Sequence, residues 1–287
     1  MAISRRTVVI AGLPVHVYSE GGLEAISGPV SVLFLLHGRM GSAHQIDSVA
    51  EEAMKVVSEK RQSKEASIGL IVVTFDQRNH GERLVDTFAN GAWKENGNDR
   101  HAIDMYATYV GTAKDVSYLI DFLPSYIFPS GEAEVVQWSV GGISLGGHAS
   151  WIVLRQEPRI TLGIPIIGCP DYLKLISGRA KESEIPFEPP YIPKTFLSYI
   201  QQHDPAQASY TISEASNPFL GKKILVLSGA DDPLVQWSCS QEFVENLQVG
   251  SEGVKKYIAY PGVAHQCTPD MVKEMANFVW DNVLVVA

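Results

Sequence analysis

Cysteine is scarce in this 287-residue chain: Cys169, Cys239 and Cys267 are its only three. They are too few and too scattered for a disulfide framework, and no Cys-x-x-Cys pair offers a zinc site. Such usage fits a reducing compartment. Positive charge is also in deficit, since 23 lysines and arginines against 32 aspartates and glutamates leave a net charge of −9. A nucleic-acid partner needs a basic surface that releases counterions, and no basic cluster supplies one. Long apolar runs are missing too, because no window approaches the roughly 18 to 20 residues that cross a bilayer. After Arg5 and Arg6 the apolar stretch is too short for a signal-peptide core, and Leu284-Val285-Val286-Ala287 matches no retention or peroxisomal address. The expectation is a cytoplasmic protein with no membrane partner. Oligomeric state is not readable.

What is present is ample core material, 45% hydrophobic residues, arranged in alternating periods. Val8 to Ile10 and Val15 to Tyr18 flank Ala-Gly-Leu-Pro and predict a hairpin. Val32 to Leu36 and Ile68 to Phe75 are continuous apolar runs, as in strands covered on both faces. Between them, three-to-four spacing predicts a helix from Ala43 to Glu59. The polar stretch Asp86 to Arg100 predicts a loop, followed by a helix over Ile103 to Leu123. Further strands are expected at Glu134 to Val140, Leu162 to Ile167, Lys223 to Ser228 and Lys256 to Tyr260. Helices are expected at Gly147 to Gln156, Gln236 to Leu247 and Pro269 to Val285. This order implies an α/β fold, a mostly parallel doubly wound sheet whose ligand site lies at the strands' carboxyl ends. Residues 172–220, with a proline-rich middle and several aromatics, break the alternation and predict a lid or cap. The core would then be 1–171 and 221–287.

Gly142-Ile143-Ser144-Leu145-Gly146 sits between a predicted strand and a predicted helix. There the glycines permit a sharp turn that exposes the Ser144 hydroxyl as a nucleophile. A serine needs a base, and the base an orienting carboxylate. Asp231 and Asp232 follow one late strand, with one of the pair expected to cap the next helix. His265 follows the last strand. No metal-ligand spacing involves His37 or His80, which are expected to brace loops by hydrogen bonds.

The chain resembles α/β-hydrolase-fold serine hydrolases, in the branch of small esterases and dienelactone-hydrolase-like proteins. Four marks carry the likeness over nearly the whole chain outside the insertion: His37-Gly38 after the third strand, Asp76-Gln77-Arg78-Asn79-His80-Gly81, the Gly142–Gly146 turn, and Gly229-x-x-Asp232-x-x-Val235 with His265. The resemblance implies a catalytic set of Ser144, Asp232 and His265, with Asp232 preferred to Asp231. It implies an oxyanion hole from the backbone N–H groups of Leu145 and Arg39, and a mechanism without cofactor or metal. Arg39 departs from the small or apolar residue usual at its position, so its side chain points to solvent or binds a substrate anion. Met40, His80, Phe187 and Tyr191 are the expected pocket residues for a small acyl substrate, the alternative for Phe187 and Tyr191 being that they pack the insertion onto the core. Ester hydrolysis is the first expectation; thioester or lactone cleavage and acyl transfer use the same triad. A non-catalytic receptor on this fold is the remaining alternative.

Overall fold

The computed structural model describes residues 2–285. Met1, Val286 and Ala287 lie outside the described residues, and with them the first residue of the predicted core and the end of the terminal tetrapeptide. Among the described residues the apolar runs become eight strands of one sheet: β1 (Ile3–Ile10), β2 (Leu13–Glu20), β3 (Gly28–Leu36), β4 (Gly69–Phe75), β5 (Ala133–Ile143), β6 (Ile160–Ile166), β7 (Lys223–Gly229) and β8 (Val254–Tyr260). Their spatial order is β1-β2-β4-β3-β5-β6-β7-β8. β1 and β2 are antiparallel and β2 is antiparallel to β4, whereas every pairing from β4 to β8 is parallel. The α/β class and mostly parallel sheet are therefore as the sequence predicts.

Helices cover both faces: α1 (Asp47–Arg61), α2 (Trp93–Asn96), α3 (His101–Ile127), α4 (Leu145–Gln156), α5 (Tyr172–Glu182), α6 (Lys194–His203), α7 (Trp237–Asn246) and α8 (Pro269–Val279). The period-two alternation of strand side chains decides which face receives which residue. Leu33 and Leu35 of β3 pack with Ala50 and Met54 of α1 and with Met271 and Met275 of α8. Val32, Phe34 and Leu36 pack on the other face with Tyr106 and Tyr109 of α3, Trp151 of α4 and Phe243 of α7. Among the described residues no helix is long and apolar enough to cross a membrane.

Several boundaries shift by a few residues, and three departures from expectation have a local cause. β5 runs on to Ile143 because Gly142 is paired on both sides, with Leu36 and Pro165, and two-sided pairing overrides the low strand preference of glycine. The predicted loop 86–100 contains α2, one turn whose buried Trp93 packs edge-on against His101. The last helix leaves α geometry after Val279 and ends in a π-turn over Trp280–Leu284.

Residues 172–220 carry α5 and α6, rooted on α3 and α4. The Asp171 side chain caps α5 by accepting from Lys174 N at 2.9 Å. Arg155 of α4 donates to the carbonyls of Asp204 (2.7 Å) and Gln202 (2.6 Å), and the Tyr172 hydroxyl donates to Ala102 O (2.6 Å). Burial, with the charge of Asp171 adding to it, pushes the Asp204 carboxyl up to about 8. A carboxyl raised on folding keeps its proton where the unfolded chain has lost it, so its contribution to stability falls as pH rises from about 4 to 8. Asp204→Asn should therefore lose less stability between pH 5 and 8.5 than the parent, as read from paired denaturant melts.

Candidate active site

The turn after β5 holds Ser144 at φ 55°, ψ −109°, a left-handed conformation that costs a non-glycine residue energy. What maintains it is close approach on either side. A Cβ on Gly142 would lie 2.3 Å from Gly146 O, and one on Gly146 would lie 2.3 Å from Leu36 O, so neither position admits a side chain. Two backbone bonds fix the turn against the sheet: Ser144 N donates to Ile166 O (2.9 Å) and Gly146 N to His37 O (3.0 Å). Ser144 thus stands at the carboxyl edge of the sheet, at the start of α4.

Asp232 and His265 arrive from the ends of β7 and β8. Ser144 Oγ lies 2.8 Å from His265 Nε2, and His265 Nδ1 lies 2.7 Å from Asp232 Oδ2. The other Asp232 oxygen accepts from Leu234 N (2.8 Å) and Val235 N (2.9 Å). Burial alone would raise this carboxyl, but the His265 bond and those two N–H groups outweigh it and hold the pKa below the ordinary aspartate value. Asp231 does not cap α7, which has no side-chain cap. Its Oδ2 accepts from Gly262 N (2.8 Å) and its N–H donates to Val263 O (3.0 Å), tying the Asp232 loop to the loop that carries His265.

Among the described residues, the N–H groups of Leu145 and Arg39 meet no acceptor outside regular secondary structure, and both residues border the cavity beside Ser144. Polar backbone groups left open beside a nucleophile are what an oxyanion requires. The loop that presents Arg39 is braced from below. Gln77 N donates to His37 Nε2 (3.0 Å), the Gln77 amide donates to His37 O, and Thr112 Oγ1 donates to Gln77 Oε1 (3.1 Å). Burial takes His37 down to about 4, so it stays neutral as a brace.

The cavity over Ser144 measures about 490 Å³. Arg39, Met40, Leu145 and His265 line it, together with residues the sequence did not single out: Trp93, His101, Met105, His148 and Arg179. Three predicted pocket residues are elsewhere. His80 is buried beside His37 with Nδ1 donating to Arg78 O (2.9 Å), inside the turn that Arg78 and Arg83 pin to Asp115. Tyr191 packs against the sheet's core, and Phe187 is 41% exposed. For Phe187 and Tyr191 the position follows α6, which packs on α3 through Phe196 and Tyr199 against Tyr106, while α5 and its C-cap Ser183 are the part of residues 172–220 that reaches the cavity. His148, buried beneath it, accepts from Cys169 N (2.9 Å) and is pushed to about 3 by burial and by Arg179, so it does not compete with His265 as a base. Among the described residues no group of three or more His, Cys, Asp or Glu could hold a metal ion.

No protein-family model and no curated protein matches the sequence. Solved structures do match. TT1662 from Thermus thermophilus is 20% identical with a TM-score of 0.67, covering 98% of each chain. Est1E from Butyrivibrio proteoclasticus, solved with ferulic acid bound, is 15% identical with a TM-score of 0.60 over 97% of this chain and 99% of that one. Acylaminoacyl peptidase from Pyrococcus horikoshii is 13% identical with a TM-score of 0.58, matching all of this chain with 42% of its own. At these identities the likeness concerns the fold, which is the α/β-hydrolase fold.

Proposed function

We propose that the chain is a serine hydrolase that cleaves a carboxylic ester of a small molecule through an acyl-enzyme on Ser144. The observation that carries this reading is the continuous hydrogen-bonded line Ser144 Oγ, His265, Asp232, with both contacts under 3 Å. His265 Nε2 takes the Ser144 proton as Oγ attacks the acyl carbon, while Asp232 holds the proton on Nδ1 and balances the imidazolium. The N–H groups of Leu145 and Arg39 receive the developing O⁻, each contributing roughly 3 kcal/mol of barrier lowering. His265 then protonates the leaving alcohol, and water activated by the same nitrogen releases the acid and restores Ser144.

Hydrolysis is favoured over acyl transfer because the cavity is open to water. Met40 and Leu234 on its rim are 69% and 56% exposed, and transfer requires that water be kept from the acyl-enzyme. The test combines turnover with labelling. Chromogenic short-chain esters should be cleaved, and a fluorophosphonate probe should add one mass equivalent to the peptide containing Ser144. A chain that neither cleaves the esters nor takes the label would point instead to a receptor on this fold.

A further inference from the structure

We propose that the substrate carries a carboxylate that seats between the guanidinium groups of Arg39 and Arg179, inside the cavity of Ser144. This rests on the hydrolase reading and names the class of ester. Arg39 comes from the loop after β3 and Arg179 from α5, and both line the cavity that holds Ser144 and His265.

Neither is balanced. Arg5, Arg6, Arg78, Arg83, Arg100 and Arg159 each pair with a carboxylate, whereas among the described residues Arg39 and Arg179 form no ion pair. The polar contact of the Arg39 guanidinium is Met105 Sδ at 4.0 Å, a weak acceptor for a group with five donors. Arg179 gives one bond, to Leu234 O at 2.8 Å. Burial lowers the pKa of Arg39, and its leading charged neighbour is Arg179, a like charge. Both cations also depress His101, which burial takes to about 4. The nearby acids form no ion pair with either arginine: Glu95 and Glu182 are exposed at the rim, Glu95 acts on Arg39 only by its charge, Glu182 accepts from Gln236, and Glu184 pairs with Lys94.

Two half-buried cations facing one space without a counterion are costly unless an anion arrives. In a chain of net charge −9, a positive cavity also draws anions against the overall field. In the proposed mechanism the backbone N–H of Arg39 receives the oxyanion, so its side chain would meet a group only a few atoms from the reacting carbonyl. A planar carboxylate suits a guanidinium fork.

The measurement uses two charged esters, each against its methyl-capped neutral counterpart. 4-Nitrophenyl hydrogen glutarate places the carboxylate on the acyl side, and 4-acetoxybenzoate places it on the leaving side. One of the charged esters should be preferred in kcat/KM by about 10-fold or more, chiefly through KM, as expected of a hydrogen-bonded charge. Arg179→Gln should remove that preference and Arg179→Lys should restore part of it. A ratio at or below one for both pairs, or a preference unchanged in R179Q, overturns the proposal while leaving the hydrolase reading intact. Calorimetric titration with glutarate separates the two failures. Binding lost in R179Q supports the anion site even if no ester is cleaved, and absence of binding in the parent overturns it.

Discussion

Ser144→Ala should lower kcat for ester cleavage by at least about 10⁴-fold and leave the unfolding transition where it was. The hydroxyl has one side-chain contact, His265 Nε2, and that ring is itself 21% exposed, so removing Oγ strands no deeply buried group. The more searching form adds His265→Ala. If Oγ and imidazole act as one unit, either loss removes the same step, and S144A/H265A should be no slower than the worse single variant. Losses that multiply would mean independent roles and would end the triad reading, whatever the size of each. Residual turnover in all three should be similar, because the open N–H groups of Leu145 and Arg39 remain.

The parts of this site that were legible in the sequence are those set by local rules. Ser144 is fixed by glycines whose necessity is steric at 2.3 Å, and Asp232 and His265 by their places just beyond β7 and β8. The cavity wall was not legible because it depends on how distant segments dock. Phe187 and Tyr191 looked like pocket residues for being aromatic in a proline-rich insertion, but the docking of α6 on α3 takes them away from Ser144. Arg179 did leave a trace. α5 buries Leu175, Ile176 and Ala180 on one stripe, and an arginine beside such a stripe lies at the edge of whatever the helix covers. Trp93 was hidden because a four-residue helix is too short to show a period. The expectation that one of Asp231 and Asp232 caps α7 rested on their place before that helix; α7 has no side-chain cap, and the Asp231 carboxylate takes a tertiary partner, Gly262 N, instead.

Asp232→Asn should be nearly as damaging, roughly 10⁴-fold in kcat, although it changes one atom of the side chain. Asp232 Oδ1 accepts from two backbone N–H groups, Leu234 and Val235, and those donors dictate how an amide must sit. Its oxygen faces the backbone and its NH₂ faces His265 Nδ1. An NH₂ group can only donate, so Nδ1 must become the acceptor and the ring proton moves to Nε2, opposite Ser144 Oγ. A protonated Nε2 cannot accept from the serine, and raising the pH does not free it, because a neutral imidazole gives up its remaining proton only in strong alkali. Asp232→Ala leaves the ring free to choose its tautomer and opens space beside Nδ1. Added formate should therefore recover part of the activity of D232A and none of the activity of D232N. Recovery of both, or D232N retaining more than about a tenth of parental kcat, would show that Asp232 does not set the tautomer of His265.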